Sequence, residues 1–301
     1  MIEQIAAVVA QNESIHEYEI HVSTAPLGGY DTVAAKSLVT IVAQGKSERV
    51  FVKISNSEKL SYFLQNEAES MDACAAMGIK GIPQILGCGF IEGRYFLAQR
   101  YVPGSTLPSR PGYLNTAMAK TKDWLGALGS KTSGHPVESA ELVRRAREYA
   151  WRASDFFDLA DCLGLMERLS PRNPIPTSRI HGDFWHRNIL LQREEVYVTD
   201  FAFSAPDEPP IDYLDLISDY DSTIFLDAKR LQGFSKLIPI DDSDLLFLHV
   251  YAMIRKIGLK TERRKALYDE LLLSNLEASM NEISEVGIAK QTVRNYENKP
   301  T

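Results

Sequence analysis

The chain has little cysteine and no long apolar run, and these two absences limit the classes of protein to which it can belong. Only three cysteines occur in 301 residues: Cys74, Cys88 and Cys162. Their odd number and wide spacing fit neither a disulfide framework nor a zinc site, so we expect a reducing, cytoplasmic environment. No apolar run approaches the roughly 20 residues that a transmembrane helix needs. We therefore expect no membrane partner.

The charge balance lacks the basic excess that nucleic-acid binding requires. Lys and Arg number 33 against 40 Asp and Glu, for a net charge of −7. A nucleic-acid-binding protein normally carries a basic stripe, so we expect no nucleic-acid partner. Hydrophobic residues make up 45% and charged residues 24%, which is ordinary for a globular protein with a sizeable core. The acidic balance suits an enzyme and favours cationic small substrates.

The first third of the chain predicts a small β-rich lobe with one main helix. Apolar residues at helical spacing predict that helix over 59–77, after a short one over 1–12. Segments rich in β-branched and aromatic residues predict strands at 18–24, 37–43, 49–54, 83–92 and 94–102. The stretch 102–112 is dense in Pro, Gly and Ser, which marks the joint between two lobes.

Beyond this joint the pattern is mostly helical. Helices are predicted at 114–130, 137–156, 158–169, 212–233, 242–258 and 262–285. The fold class is therefore α+β with two lobes, a small β-rich one and a larger, mostly helical one. We place the first lobe at residues 1–102, the second at 103–290 and a flexible tail at 291–301.

The stretch "RIHGDFWHRNILLQREEVYVTDF", from Arg179 to Phe201, interrupts the helices with polar groups around two short strands. "ILL" and "VYV" predict a β-hairpin with "QREE" as its turn. The hairpin returns Asp200 to the side of Asn188, and this pair of oxygen donors suits Mg²⁺. Asp183 lies in the preceding loop, where it can orient or deprotonate a hydroxyl. One aspartate for the nucleophile, with an Asn and an Asp for metal, is the division of labour in phosphoryl transfer.

Lys53 offers the cation that such a reaction needs. It lies in the strand "FVKI" between apolar residues, where it can neutralise nucleotide phosphates. Glu67, in the following helix, is its expected partner, and Glu69 is a rival on the same helix. The loop "PLGGYDT" (26–32) can lay backbone N–H groups over phosphates, because glycine lets the chain approach closely. Its alternative is an ordinary turn.

The motif "IHGDFWHRNILL" followed by "VTDF" resembles the aminoglycoside phosphotransferase and choline/fructosamine kinase-like superfamily, which has a two-lobed protein-kinase-like fold. The likeness extends to "FVKI", "NEAESM" and "LAQRYVPG", and covers most of residues 15–220. Gly182 follows the histidine where protein kinases carry Arg. No long activation segment ending in A-P-E follows "TDFAF", so a protein substrate is not expected.

The resemblance implies a role for each matching residue. Asp183 becomes the catalytic base, and Asn188 and Asp200 become the Mg²⁺ ligands. Lys53 becomes the phosphate-binding lysine, held by Glu67. Adenine of ATP would be bound through backbone groups of Gln99, Arg100, Tyr101 and Val102. The lobe at 1–102 would bind the nucleotide, and the lobe at 103–290 would carry catalysis and the acceptor.

Three interpretations of the sequence each have an alternative. A later aspartate braces the catalytic loop in this superfamily, and either Asp212 or Asp215 fits. His181 is interpreted as a structural residue of the loop, with a metal ligand as the alternative. Seven acidic residues and no Lys or Arg occur between 201 and 227: Asp207, Glu208, Asp212, Asp215, Asp219, Asp221 and Asp227. A charge run usually means a solvated helix face. The sharper hypothesis is an acidic wall that selects an acceptor bearing amino groups.

Together these features predict a small-molecule kinase. It would transfer the γ-phosphate of ATP, with Mg²⁺, to a hydroxyl of a sugar, aminoglycoside or amino alcohol. One alternative is a nucleotide-binding pseudoenzyme that acts as a scaffold or regulator. Another is transfer of a nucleotidyl group by the same fold.

Overall fold

The computed structural model describes residues 1–15, 17–23, 34–43, 46–106, 114–193, 195–215 and 242–268. Helices and strands both contribute within these ranges, which confirms the predicted α+β class. The chain divides into two compact units. The first comprises Met1–Thr132 and Arg179–Pro206, and the second comprises Ser133–Ser178 and Asp207–Thr301. The predicted lobe boundary at 102 and 103 is a different division and stays a prediction, and the predicted tail at 291–301 lies outside the described residues.

An antiparallel sheet lies at the centre of the first unit. Its strands are β1 (Glu19–Ser23), β2 (Ala34–Ala43), β3 (Lys46–Ser55), β4 (Ile85–Ile91) and β5 (Arg94–Arg100). They lie in the order β1-β2-β3-β5-β4. Each overlaps a segment predicted to be a strand, because the β-branched and aromatic residues that mark these segments also favour a pleated, half-buried surface.

Two helices accompany this sheet. Helix α1 (Ile2–Asn12) buries Ile5 against the β3 residues Val52 and Ile54. Successive side chains of a strand point to opposite faces, so Lys53 lies on the face away from this cluster. Helix α2 (Ser61–Ala76) contacts β3, β4 and β5. The alternation in "FVKI" thus directs Lys53 away from the α1 core.

The first unit also contains the predicted hairpin. The hairpin consists of β8 (Ile189–Gln192) and β9 (Glu195–Val198). The unit also contains β6 (Ser105–Thr106), helix α3 (Leu114–Lys131) and the strand β7 (Ser178–Ile180) from Arg179 onward. Strands β8 and β9 pair in antiparallel register, and β6 adds a third strand beside β8. Strand β10 (Ala205–Glu208) follows the hairpin. The local pattern therefore predicted the hairpin correctly, but not the short strands β6, β7 and β10.

The described part of the second unit is mainly helical. Helix α4 (Ser139–Ala153), helix α5 (Ala160–Arg168) and helix α6 (Asp242–Tyr268) contact one another. The prediction of separate helices at 242–258 and 262–285 is wrong, because α6 continues through Gly258. A Cβ on Gly258 would lie 2.6 Å from the backbone oxygen of Tyr149, so the glycine permits close packing of α6 on α4.

Two further predictions can be compared with the structure only over the residues that it describes. Of the predicted helix at 212–233, only residues 212–215 are described, and these are helical. In the ranges that the structure describes, no helix combines the length and the apolar content needed to cross a bilayer.

Candidate active site

Lys53 and Glu67 form an ion pair that is shielded from water. Lys53 Nζ lies 2.8 Å from both Oε1 and Oε2 of Glu67. The Lys53 side chain is 3% exposed and that of Glu67 is 0% exposed. Glu69, the rival partner, is exposed and instead accepts a hydrogen bond from Gln65 Nε2 at 2.8 Å. The structure therefore pairs Lys53 with Glu67.

Asp200 shares the same lysine. Its Oδ1 lies 2.8 Å from Lys53 Nζ, and its side chain is 29% exposed. Burial lowers the pKa of Lys53, but the charges of Asp200 and Glu67 raise it above its ordinary value. Burial also raises the pKa of Glu67, and the charge of Lys53 opposes that shift. Lys53 is thus held protonated between two carboxylates.

Helix α2 also fixes the segment that follows Asp200. Asn66 Nδ2 donates to the backbone oxygens of Ala202, at 2.8 Å, and Ser204, at 3.2 Å. The rings of Phe63 and Phe203 meet edge to face with centroids 5.9 Å apart. Helix α2 therefore positions both Glu67 and the backbone that follows Asp200. In this way one helix fixes the two carboxylates that face Lys53.

The loop that begins at His181 positions Asp183 and Asn188. Asn188 Nδ2 donates to the backbone oxygen of Asp183 at 2.9 Å and approaches its Oδ2 at 3.4 Å. Gly182 has φ +83°, a conformation that glycine adopts without steric cost. Trp185 N donates to the same Asp183 backbone oxygen at 3.1 Å. These bonds fold the loop back on itself and bring Asp183 against Asn188.

His181 links this loop to the chain before Asp200. The Asp183 N–H donates to His181 Nδ1 at 3.3 Å, so Nε2 carries the proton and donates to the Thr199 backbone oxygen at 2.9 Å. The ring is fully buried and packs edge to face on Phe184 and Phe201. Both nitrogens are used by backbone groups, which supports the interpretation of His181 as structural.

The β8–β9 hairpin brings Asn188 and Asp200 to one end. Ile189 pairs with Val198, and the Thr199 N–H donates to the Asn188 backbone oxygen at 2.9 Å. The described residues contain no group of three or more His, Cys, Asp or Glu side chains that could hold a metal. A carboxamide with a single carboxylate is a smaller donor set. It fits Mg²⁺, which usually takes one or two protein carboxylates and fills its other positions with water and phosphate.

The four residues predicted to hold adenine lie at the end of β5 and just beyond it. The Arg100 N–H donates to the Gln84 oxygen at 2.8 Å, and the Tyr101 N–H donates to the Arg49 oxygen at 2.9 Å. Among the backbone hydrogen bonds of the described residues, none uses the N–H of Val102. Within the described part of the chain, the N–H of Val102 is therefore the one among Arg100, Tyr101 and Val102 that donates to no backbone oxygen.

Gln99 lies on the same sheet face as Lys53. It pairs with Phe51 across β3, and Lys53 pairs with Leu97, so the two polar residues are two positions apart in register. Gln99 is 3% exposed, and its buried Oε1 has no hydrogen-bond partner among the described residues. A buried acceptor without a partner costs stability, and a ligand amino group would relieve that cost.

Lys36 is a neighbour of this site that the sequence reasoning missed. Its Nζ lies 4.0 Å from Asp200 Oδ2. The predicted strand began at Ser37, so Lys36 was left outside it. Counting back from Lys53 across the gap between the predicted strands at 37–43 and 49–54 reaches Val39. The turn in the structure is tighter, with Ala43 opposite Lys46, and it therefore places Lys36 opposite Lys53.

The acidic segment is mostly buried where the structure describes it. Glu208, Asp212 and Asp215 are 4%, 2% and 8% exposed. Glu208 accepts a hydrogen bond from the Tyr251 hydroxyl at 2.6 Å, and Asp215 lies 3.6 Å from Lys256 Nζ, all within the second unit. These three carboxylates form neither a solvated helix face nor an exposed acidic wall, because they are engaged inside the protein.

Some predictions remain open. The structure does not choose between Asp212 and Asp215 as the residue that braces the catalytic loop. Asp219, Asp221, Asp227 and the loop at 26–32 lie outside the described residues.

Solved structures of small-molecule kinases share this fold. Choline kinase LicA from Streptococcus pneumoniae is 13% identical, with a TM-score of 0.59, and covers 99% of this chain and 100% of its own. Aminoglycoside 2'-phosphotransferase-IIIa, in complex with GDP, is 16% identical, with a TM-score of 0.61, and covers 97% and 98%. A thermostable mutant of aminoglycoside phosphotransferase APH(4)-Ia, with ADP and hygromycin B, is 13% identical, with a TM-score of 0.61, and covers 98% and 99%. The likeness confirms the predicted protein-kinase-like fold.

Sequence comparison identifies the family. No curated protein matches the chain significantly. The model of the phosphotransferase enzyme family, APH, matches residues 35–241, which is more than half of the 301 residues. This match confirms the predicted enzyme class, a phosphotransferase, and the predicted resemblance. The chain belongs to the phosphotransferase enzyme family.

Proposed function

We propose that the protein is a small-molecule kinase that transfers the γ-phosphate of ATP to a hydroxyl of a sugar, aminoglycoside or amino alcohol. The observation that carries the proposal is the buried Lys53–Glu67 pair, whose lysine also contacts Asp200. In phosphoryl transfer a protein mainly positions the reactants and stabilises charge. A lysine held protonated beside a candidate metal ligand is suited to both tasks.

Lys53 and Glu67 neutralise and position the phosphates. The bidentate contact with Glu67 holds the ammonium group in place, so that little side-chain entropy remains to be lost when a phosphate arrives. Burial strengthens the attraction between this ammonium and a phosphate, because the local dielectric is low. Glu67 acts through Lys53 and is therefore a positioning residue.

Asp183 is the catalytic base that orients and deprotonates the acceptor hydroxyl. Its carboxylate is partly exposed, and the contact from Asn188 Nδ2 to its Oδ2 directs it. Asn188 and Asp200 hold Mg²⁺, which neutralises charge on the phosphates when it is bound. Since Asn188 Nδ2 donates to Asp183, the amide oxygen of Asn188 would be the atom that holds the ion.

The adenine ring is bound at the end of β5. The Val102 N–H is the backbone donor for a ring nitrogen, and the Gln99 Oε1 is an acceptor for an exocyclic amino group. Guanine presents a carbonyl oxygen where adenine presents that amino group.

The acceptor is a small molecule with a free hydroxyl, and the protein works in the cytoplasm. Two solved structures with this fold, a choline kinase and a complex with hygromycin B, support an acceptor with amino or ammonium groups. The buried state of Glu208, Asp212 and Asp215 removes three candidates for its recognition.

A mass-spectrometric screen tests the function. The protein, with Mg²⁺ and either ATP or GTP, is offered aminoglycosides, amino sugars, ketosamines, choline and homoserine. Asp183→Asn is the inactive control, and Asp72→Asn, at an exposed position of α2, is its matched control. We expect a product heavier by one phosphate group with the wild type and Asp72→Asn, and none with Asp183→Asn.

The same screen separates the alternatives. A pseudoenzyme would be stabilised by ATP in a thermal-shift assay without any acceptor gaining mass. Nucleotidyl transfer would add AMP to the acceptor instead of phosphate. Equal product from the wild type and Asp183→Asn would remove Asp183 from catalysis.

A further inference from the structure

Two lysines face each other across the β2–β3 pair. Lys36 is the direct partner of Lys53 in the antiparallel register. Directly opposed residues project to the same face, with Cβ atoms roughly 4.5–5.5 Å apart, and like charges in that position are destabilising. The two lysines therefore need negative charge close by.

Two carboxylates balance these two lysines. Asp200 contacts Lys53 through Oδ1 at 2.8 Å and approaches Lys36 through Oδ2 at 4.0 Å. Glu67 holds Lys53 from the other side, and the charge of Lys36 also acts on Glu67. Among the described residues, this cluster therefore combines two ammonium groups with two carboxylate groups.

The lysines differ in how far they are open to a ligand. The side chain of Lys36 is 19% exposed against 3% for Lys53. The separation from Asp200 is also 4.0 Å for Lys36, longer than a hydrogen bond, against 2.8 Å for Lys53. Lys36 is therefore the more accessible of the two ammonium groups to an incoming anion.

We propose that Lys36 is a second phosphate-binding lysine, which contacts the polyphosphate of the nucleotide alongside Lys53. The proposal rests on the proposed function, because it needs a nucleotide at this site. With Mg²⁺ bound, Asp200 would share its charge with the ion, and phosphate oxygens would take part of its place beside the two lysines. Two ammonium groups then face the polyphosphate from adjacent strands.

The simpler hypothesis is that Lys36 only balances the charge of Asp200. Partly exposed ion pairs contribute little to stability. The two readings differ in what loss of Lys36 changes. If Lys36 only balances charge, its loss changes the stability of the fold or the position of Asp200. If Lys36 contacts phosphate, its loss lowers the affinity for ligands that carry phosphates and leaves the affinity for adenosine unchanged.

Nucleotide affinity measured by calorimetry on the full chain separates these readings. The variants are Lys36→Met, Lys36→Arg and Lys80→Met, the last removing an exposed lysine from the same unit. Each is titrated with Mg²⁺–ATP and with adenosine. We expect Lys36→Met to weaken Mg²⁺–ATP binding about tenfold, the lower end of what a charge-assisted hydrogen bond contributes. Adenosine affinity should stay within about twofold, Lys36→Arg should keep most of the affinity, and Lys80→Met should match the wild type.

Each other outcome has a definite meaning. Equal Mg²⁺–ATP affinity in Lys36→Met and Lys80→Met would overturn the role of Lys36 and leave the proposed function intact. Equal losses for ATP and adenosine would show a structural effect and also overturn it. If the wild type binds no nucleotide, the proposed function fails and the role of Lys36 fails with it. Lys36→Gln replaces Lys36→Met if thermal unfolding shows that the methionine variant does not fold.

Discussion

The Lys53–Glu67 pair yields a quantitative test, a double-mutant cycle with Lys53→Met, Glu67→Met and the double variant. Removing one partner of a buried ion pair costs about 3–5 kcal/mol, because the other charge is left without compensation. Glu67 is fully buried, so we expect Lys53→Met to fall in this range. Glu67→Met leaves Lys53 bonded to Asp200 at 2.8 Å, so we expect a smaller loss of about 1–3 kcal/mol.

The double variant should cost less than the sum of the single variants. Two methionines replace the pair with apolar groups of similar length, which is often nearly neutral for a buried ion pair. We expect a coupling free energy of about 1–3 kcal/mol between the two positions, as for residues in direct contact. Chemical denaturation followed by circular dichroism gives each free energy of unfolding, with Lys80→Met as the control for loss of one positive charge.

The pH dependence of the free energy of unfolding of Lys53→Met is an independent test of the same ion pair. Burial raises the pKa of Glu67 above its ordinary value of 4.5, and loss of the opposing lysine raises it further. Between the unfolded and native pKa values the native state then binds more protons than the unfolded state, so stability falls as pH rises. Lys53→Met should be more stable at about pH 5 than at about pH 8 relative to Lys80→Met. Additivity within about 0.5 kcal/mol, together with a flat pH difference, would refute the reasoning.

Two further predictions concern a glycine and a histidine. Gly81→Ala should destabilise the fold by about 2–4 kcal/mol, because its Cβ would lie 2.1 Å from the Val196 oxygen. Gly93→Ala has a similar φ but open space, so it isolates the conformational cost of about 1–2 kcal/mol, and equal losses in denaturation would contradict this reading. Burial lowers the pKa of His249 from 6.5 to about 4. As pH decreases between these two values, the unfolded state binds a proton that the native state does not. The free energy of unfolding should therefore fall by about 1–3 kcal/mol over this pH range. Unfolding titrations should show this loss in the wild type and not in His249→Gln, and an unchanged slope in the variant would assign it elsewhere.

Short-range sequence patterns predicted most of the elements that hold the site. Alternation in "FVKI" placed Lys53 opposite the α1 core, and the hairpin pattern returned Asp200 to the end that carries Asn188. The catalytic roles of Asp183, Asn188 and Asp200 remain predictions, since geometry alone does not measure them. These features were predictable because strand alternation and hairpin closure depend on residues that are neighbours in the chain.

Other features depended on partners far away in sequence. Gly258 looked like the end of a helix, since glycine costs about 1 kcal/mol in a helix interior, yet α4 packs on it and the helix continues. The acidic run at 201–227 is typical of a solvated helix face, yet Glu208 within it is buried against Tyr251. A one-dimensional pattern does not contain these contacts.

The sequence by itself determined the fold class, the family and the set of polar groups available for phosphoryl transfer, because each is written in local spacing and residue type. The tertiary structure decided that Glu67, and not Glu69, meets Lys53, and that Lys36 lies beside the same aspartate. Which charges meet depends on how strands and helices pack, since an ion pair forms only where the fold brings opposite charges within a few ångströms and keeps water out.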